Sequence, residues 1–191
     1  MNTFTSRGVR RVLASALVVT TLILPGVFPR PAAAATPACN DKAATIVAAP
    51  GAASVRGTQG DDVIVGLDGD VRIEGRGGND TICAGPGDNI ISGGAGDDWI
   101  SAGDGNNTVD TGTGNVNFVI AGSGNDILVG NSGNDTVYGG EGDNLISLQG
   151  GDDVLVAGSG NDRLSGGKGF DTCDGGGGTN YIGYCEAVAT R

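Results

Sequence analysis

Acidic and amide side chains recur every nine residues along most of this chain, and their spacing points to one kind of chemistry. Between residues 57 and 183, one column of the repeat holds Asp or Asn in nearly every copy. Regularly spaced carboxylate and amide oxygens suit a hard cation, which prefers oxygen ligands. The chain has no histidine, which excludes a histidine base, Ser-His and Cys-His nucleophile pairs, and histidine metal ligands. The pattern therefore predicts cation binding.

The repeat unit is a nonad with three regular columns. From Gly57 to Gly183 the chain divides into fourteen copies, with one inserted residue that we place at Ile120. The fourth position is glycine in every copy and the eighth is apolar in every copy, with Phe118 as the eighth residue of the seventh copy. A glycine-rich linker without structure would not keep three columns in phase over this length.

The columns predict an all-β fold. A glycine-rich hexad can adopt the positive-φ conformations of a tight turn, and the three β-prone residues after it send the eighth position inward. One nonad cannot bury its single apolar side chain, but stacked nonads can. We therefore expect a parallel β-roll or β-helix solenoid with two short strands per 18-residue coil, about seven coils in all, plus terminal caps.

Alternate copies of the repeat lie on the same side of such a roll, which sorts the sixth position into two edges. One edge is acidic except at its centre and reads Asp62, Asp80, Asp98, Val116, Asp135, Asp153, Asp171. The other edge is mostly amide and reads Val71, Asn89, Asn107, Asp126, Asn144, Asp162, Asn180. An amide offers a carbonyl oxygen but no charge, so the two edges should differ in cation affinity.

Individual copies resemble a known repeat. Residues 93–101 read Gly-Gly-Ala-Gly-Asp-Asp-Trp-Ile-Ser, and residues 157–165 and 166–173 are nearly as close to the pattern Gly-Gly-x-Gly-x-Asp-x-apolar-x. This nonad is similar to that of the repeats-in-toxin (RTX, hemolysin-type) family of calcium-binding β-rolls. The resemblance implies calcium between successive loops, held by sixth-position Asp carboxylates and by carbonyl oxygens of the glycine loops.

The acidic edge is accordingly predicted to bind most of the Ca²⁺. Ions are expected between Asp62 and Asp80, Asp80 and Asp98, Asp135 and Asp153, and Asp153 and Asp171, with weak binding around Asp126 and Asp162 on the amide edge. The fifth-position acids are expected to be solvated. The alternative is that Asp and Asn only cap tight turns through their side chains. That alternative suits the amide edge better, because stacked carboxylates without a cation would repel one another.

The first 35 residues resemble an export signal. A basic start at Arg7, Arg10 and Arg11 precedes an apolar run at residues 12–24 and an alanine-rich cleavage site. That run is shorter than the roughly 20 residues that span a bilayer, which disfavours the alternative of a retained anchor. Without this segment the chain has seven basic and 22 acidic residues, a formal charge of −15. We expect a secreted, extracellular protein that binds neither nucleic acid nor anionic membrane.

Four cysteines lie near the two ends of the repeat and permit three pairings. Export makes disulfides reasonable, and the pairs Cys39–Cys83 and Cys173–Cys185 are favoured because each would tie a terminus to the nearest coils. Zinc ligation is the rival interpretation, and the absence of a Cys-x₂-Cys pair disfavours it. Residues 36–56 are interpreted as an N-terminal cap of degenerate repeats, and residues 184–191 as a C-terminal cap or tail.

These features favour an extracellular calcium-binding repeat protein that is not an enzyme and has no catalytic residues. Because each nonad buries only one apolar side chain, calcium is expected to fold the roll. A hydrolase built on paired acids is a weaker alternative, since the acids repeat uniformly. A further alternative is a calcium-dependent adhesin, which would use outward strand faces for cell-surface binding or self-association. Its outward apolar residues would be Val63, Val65, Trp99, Val119, Tyr138, Val154 and Val156 on one face, and Ile90, Ile127, Val129 and Leu145 on the other.

Overall fold

Two parallel β-sheets of short strands form the body of the protein. A computed structural model describes residues 37–189, so the predicted export signal lies outside the described residues. The even sheet contains β4 Ser54–Arg56, β6 Arg72–Gly77, β8 Ile90–Ala95, β10 Thr108–Thr113, β12 Ile127–Val129, β14 Leu145–Ser147, β16 Arg163–Ser165 and β18 Tyr181–Gly183. The odd sheet contains β3 Ile46–Val47, β5 Val63–Val65, β7 Thr81–Cys83, β9 Trp99–Ser101, β11 Phe118–Ile120, β13 Thr136–Glu141, β15 Val154–Ser159, β17 Thr172–Asp174 and β19 Ala187–Ala189.

The chain alternates between the two sheets, so that each strand pairs with the strand one coil away. Ile64 pairs with Ile82, and Ile73 pairs with Ile91, so equivalent residues of consecutive coils lie side by side. No helix occurs among the described residues. The predicted parallel β-solenoid, with two short strands in each coil of two nonads, is therefore confirmed.

The core is a double column of eighth-position side chains. In-register pairing stacks each inward side chain on its equivalent in the next coil, because a strand sends alternate side chains to opposite faces. The fully buried members include Ile64, Ile73, Ile82, Ile91, Ile100, Val109, Val137, Ile146, Leu155 and Cys173. First-position residues such as Ala84, Ala102 and Leu148 complete this core.

Glycine is required where the turns of adjacent coils touch. Gly96 has a φ of 118° and Gly151 a φ of 131°, both in the region that L side chains rarely adopt. A Cβ on Gly96 would collide with the carbonyl oxygen of Gly78, and one on Gly151 would collide with that of Gly133. The stacked turns therefore leave no room for a side chain at these two fourth positions.

The inserted residue lies in a turn and not at Ile120, so the predicted position of the insertion is wrong. The pair Ile100 and Val119 is one residue further apart in sequence than the pair Gly94 and Gly112. Asn115 bonds to Asp97 and Asn117 bonds to Asp98, so the residues on both sides of Val116 keep their equivalents in the previous coil. Val116 is therefore the additional residue, and its side chain is 53% exposed. A turn can absorb an extra residue, but a strand cannot without reversing the faces of the residues that follow.

Three further assignments change with this shift. Val119 is fully buried and occupies the eighth position, which was predicted for Phe118. Phe118 and Ile120 therefore point outward on either side of it. Asn117 takes the sixth position in place of Val116, and its buried side chain continues the polar column.

Both ends of the roll are tied down covalently. The strands β1 Ala38–Cys39 and β2 Lys42–Ala43 form an antiparallel hairpin, and β1 contacts β5 and β7 of the odd sheet. The disulfide Cys39–Cys83 joins this hairpin to the sheet, and Cys173–Cys185 joins β17 to the turn between β18 and β19. Both favoured pairings are thus confirmed. No helix in the described part of the chain is long and apolar enough to cross a membrane.

Candidate metal sites

The sixth-position side chains form a continuous hydrogen-bond ladder along each edge of the roll. Each Oδ1 accepts the backbone N–H of the sixth-position residue in the preceding coil. On the edge that we call the Asp edge, the donor and acceptor pairs are Asp62 and Asp80, Asp80 and Asp98, Asp98 and Asn117, Asn117 and Asp135, Asp135 and Asp153, and Asp153 and Asp171. On the Asn edge the pairs are Val71 and Asn89, Asn89 and Asn107, Asn107 and Asp126, Asp126 and Asn144, Asn144 and Asp162, and Asp162 and Asn180. Every predicted site residue therefore lies in one of these two columns.

Within residues 37–189, the second carboxylate oxygen has no hydrogen-bond partner at most of these aspartates. The unpartnered Oδ2 atoms are buried and belong to Asp80, Asp98, Asp126, Asp135, Asp153, Asp162 and Asp171. Asp62 differs, because its Oδ2 accepts from the backbone N–H and the hydroxyl of Thr58 at 2.7 and 2.9 Å. A buried, unpartnered carboxylate oxygen costs free energy, so each of these seven atoms is stabilised by a hydrogen-bond donor, a proton or a cation beside it.

The asparagines show what surrounds this second atom. Asn89 Nδ2 donates to the carbonyl oxygens of Gly85 and Gly87 at 3.0 and 2.9 Å. Asn107 Nδ2 donates to those of Gly103 and Gly105 at 3.3 and 3.0 Å. The second and fourth carbonyls of a loop therefore converge on the outer atom of the sixth side chain.

At an aspartate, that convergence brings carboxylate and carbonyl oxygens together with no hydrogen between them. A Cβ placed on Gly93 would collide with both Asp98 Oδ2 and the carbonyl oxygen of Thr111 in the next coil. A Cβ on Gly75 would likewise collide with both Asp80 Oδ2 and the carbonyl oxygen of Gly93. Such an oxygen-only cradle with a net negative charge fits Ca²⁺, which takes carboxylate and backbone carbonyl ligands.

The electrostatics of the Asp edge agree with this geometry. Burial raises the pKa of Asp98 to about 7, and the negative charges of Asp80 and Asp97 add to the rise. Burial also raises the pKa of Asp80 and of Asp153 to about 6. The main cause is desolvation, which disfavours the charged carboxylate unless a cation or a proton lies beside it.

The predicted ion positions correspond to adjacent rungs of the ladder. Asp80 lies between Asp62 and Asp98, and Asp153 lies between Asp135 and Asp171, whereas Asn144 separates Asp126 from Asp162. Across residues 37–189, no three Asp, Glu or Cys side chains converge on one point. Any ion held here must therefore take most of its ligands from the backbone of two loops.

The fifth-position acids are exposed, but they also form a ladder. Their Oδ1 atoms accept N–H groups from the following coil, opposite in direction to the sixth-position ladder, as when Asp61 accepts from Asn79 and Asp152 accepts from Phe170. These carboxylates therefore order the turns while remaining in contact with water. This role was not predicted, although the frequent Asp and Asn at the fifth position indicate it.

A β-solenoid whose loops are lined with oxygen atoms defines a class of repeat protein whose turns can bind cations. The model of the RTX calcium-binding nonapeptide repeat matches the chain at residues 56–91, 84–116, 111–146, 120–155 and 148–182. These matches span most of the chain, which therefore belongs to the RTX calcium-binding nonapeptide-repeat family. No curated protein and no solved structure matches the chain.

Proposed function

We propose that this protein is an extracellular calcium-binding repeat protein without enzymatic activity, whose roll is folded and stabilised by Ca²⁺ between successive glycine-rich loops. The observation that carries the proposal is the set of buried Oδ2 atoms that face carbonyl oxygens without a donor. Asparagine satisfies the same position with its own N–H group. An aspartate in that position is stabilised by a cation that binds only to the folded chain.

The two edges should load unequally. On the Asp edge, ions are proposed between Asp62 and Asp80, between Asp80 and Asp98, and at the corresponding pairs of Asp135, Asp153 and Asp171. The Asn edge offers only Asp126 and Asp162 as charged ligands, and its asparagines already use their amide groups within the loops. Export would place these sites where calcium is plentiful enough for affinities of about 10⁻⁴–10⁻³ M. The two disulfides support that location.

Anomalous scattering from crystals grown in calcium tests this assignment directly. We expect calcium peaks beside Asp80, Asp98, Asp153 and Asp171, and fewer or weaker peaks along the Asn edge. An excess of ions along the Asn edge would contradict the unequal loading. A protein without peaks on either edge would contradict the proposed function itself.

A second proposed role, adhesion or self-association, is supported by the outward face of the odd sheet. From Trp99 to Val156, the outward side chains at the seventh and ninth positions of the repeat carry no charge on this face, although the chain is strongly acidic. The rings of Trp99 and Phe118 lie parallel at a centroid distance of 6.3 Å, and Tyr138 lies 5.6 Å from Phe118. The hairpin β1–β2 already packs on the neighbouring part of this face, since Lys42 Nζ donates to Thr81 Oγ1 at 3.0 Å.

Tyr138→Lys is expected to abolish calcium-dependent binding to cell surfaces or calcium-dependent sedimentation, because it places a charge within the uncharged aromatic face. Leu145→Lys is the matched control on the even sheet, where the exposed fractions are similar, at 41% for Tyr138 and 48% for Leu145. Cosedimentation with and without calcium provides the measurement. Equal binding by Tyr138→Lys and the unchanged protein would exclude this face.

A further inference from the structure

The last coil of the roll closes three residues earlier than the coil before it. Leu155 of β15 pairs with Cys173 of β17, and these two residues are separated by two complete nonads. Cys173 in turn pairs with Val188 of β19, and the segment between them is three residues shorter than two nonads. Tyr184 lies one full coil after Gly166 and so begins this coil in phase, but the turn after it contains only Cys185 and Glu186. The shortened turn therefore lacks the fourth-position glycine and the sixth-position aspartate.

Glu186 replaces that missing aspartate. The backbone N–H of Asp171 donates to Glu186 Oε2 at 2.8 Å, as the N–H of Asp153 donates to Asp171 Oδ1 at 2.9 Å. The additional methylene of glutamate lets its carboxylate reach the ladder from a shorter turn. The ladder of the Asp edge thus ends on a charged residue.

The other oxygens of a complete site are also present at this end. Asp171 is fully buried, and its Oδ2 has no hydrogen-bond partner among the residues that the structure describes. A Cβ on Gly166 would collide with both Asp171 Oδ2 and the carbonyl oxygen of Tyr184, which is the arrangement found at Gly93 with Asp98 and Thr111. Tyr184 is held there by the N–H of Gly167 at 3.0 Å and by the adjacent disulfide Cys173–Cys185.

We propose that Asp171, the carbonyl oxygen of Tyr184 and the carboxylate of Glu186 form a terminal Ca²⁺ site in this truncated coil. The inference rests on the proposed function and adds to it a ligand that lies outside the nonad repeat. An N–H cap alone requires only one acceptor oxygen, whereas a cation would also stabilise the buried Asp171 Oδ2 beside a carbonyl. The disulfide acts as the element that positions Tyr184 and Glu186 on the last loop.

Glu186→Gln separates these two roles, because the amide keeps an acceptor for the Asp171 N–H group but removes the charge. We expect equilibrium dialysis with calcium to show one ion fewer per chain than in the unchanged protein, or at least a tenfold weaker last site. Glu141→Gln removes an exposed charge from a loop of the Asn edge and should leave the count unchanged.

An equal ion count and affinity in Glu186→Gln and Glu141→Gln would overturn the terminal site while leaving the repeat sites intact. An unchanged protein that binds no calcium would instead refute the proposed function. If Glu186→Gln fails to fold, the anomalous map of the unchanged protein decides. A calcium peak bonded to Asp171 Oδ2 and the Tyr184 carbonyl supports the site, and calcium elsewhere on the Asp edge without this peak overturns it.

Discussion

Removal of calcium with a chelator at about pH 8 is expected to unfold the roll, and added calcium is expected to restore it. Without a cation, seven buried carboxylate oxygens in the described part of the chain have no hydrogen-bond partner, and charged aspartates lie on adjacent rungs of the same edge. Each such oxygen disfavours the folded chain by an amount comparable to a lost hydrogen bond, about 1–3 kcal/mol. Their sum is as large as the roughly 5–15 kcal/mol that typically separates folded from unfolded domains.

Circular dichroism and the emission of Trp99, the single tryptophan, would measure this transition. Magnesium is the matched control, since it demands octahedral geometry and gives up its water reluctantly, and it should restore the fold poorly. A spectrum in chelator at about pH 8 identical to that in calcium would show that the roll does not need the ion.

Acid should partly replace calcium in the same experiment. Burial raises the pKa of Asp98 to about 7 and the pKa of Asp80 and Asp153 to about 6, while the unfolded values stay near 4. Between these limits the folded chain binds more protons than the unfolded chain, so the stability of the calcium-free fold falls as the pH rises. In chelator, the folded fraction should therefore be larger at about pH 5 than at about pH 8, and calcium should bind more tightly at the higher pH. A calcium-free fold that gains stability from pH 5 to pH 8 would contradict this.

The period-nine pattern predicts the solenoid and most of its core because each column has one physical role. Only glycine fits where turns touch, and an aliphatic side chain at the eighth position, as in Ile64 or Ile100, is buried by its equivalents one coil away. The pattern could not place the insertion by apolarity alone, since Phe118 and Val119 both satisfy the eighth position. Asn117 distinguishes the two frames, because only one of them keeps a polar residue in the sixth column.

The ends and the loop interiors were less accessible to prediction from the sequence. Glu186 does not fall at the sixth position of a nonad, and it joins the ladder only because the last turn is shortened. The nine-residue period of the sequence gives no sign of that shortening. The different behaviour of Asn and Asp likewise depends on the direction of the carbonyls of Gly85 and Gly87, which is a property of the folded turn. The assignment of ions to particular aspartates stays a prediction.

Asp98→Asn is expected to stabilise the calcium-free roll and to weaken its response to calcium. By analogy with Asn89, an amide at position 98 would donate to the loop carbonyls of Gly94 and Gly96, and it would remove the charge that burial disfavours. We expect the free energy of unfolding in chelator to rise by about 1–3 kcal/mol. Urea unfolding measures this quantity, with sucrose in the buffer so that the calcium-free chain is folded before urea is added. Calcium dialysis should show the loss of the ion between Asp80 and this position.

Asp97→Asn is the matched control, since Asp97 is the exposed neighbour and an amide oxygen could still accept the N–H groups of Asn115 and Val116. It should change both quantities much less than Asp98→Asn does, since the charge of Asp97 is the smallest of the causes that raise the pKa of Asp98. A loss of calcium-free stability in Asp98→Asn would show that the carboxylate is already satisfied without a cation.

The reciprocal substitution, Asn144→Asp, is expected to have the two effects opposite to those of Asp98→Asn, on calcium-free stability and on calcium binding. It removes the donor that now satisfies the carbonyl of Gly142 at 3.1 Å, and it aligns three carboxylates with Asp126 and Asp162 on adjacent rungs of the Asn edge. The calcium-free roll should become less stable, because the new buried carboxylate lacks a partner. The Asn edge should at the same time gain calcium affinity, since charged ligands replace neutral ones in a loop whose backbone carbonyls are already in place. The outer atom of the sixth side chain, Nδ2 in asparagine or Oδ2 in aspartate, would then determine whether the loop carbonyls bind an amide group or a metal ion.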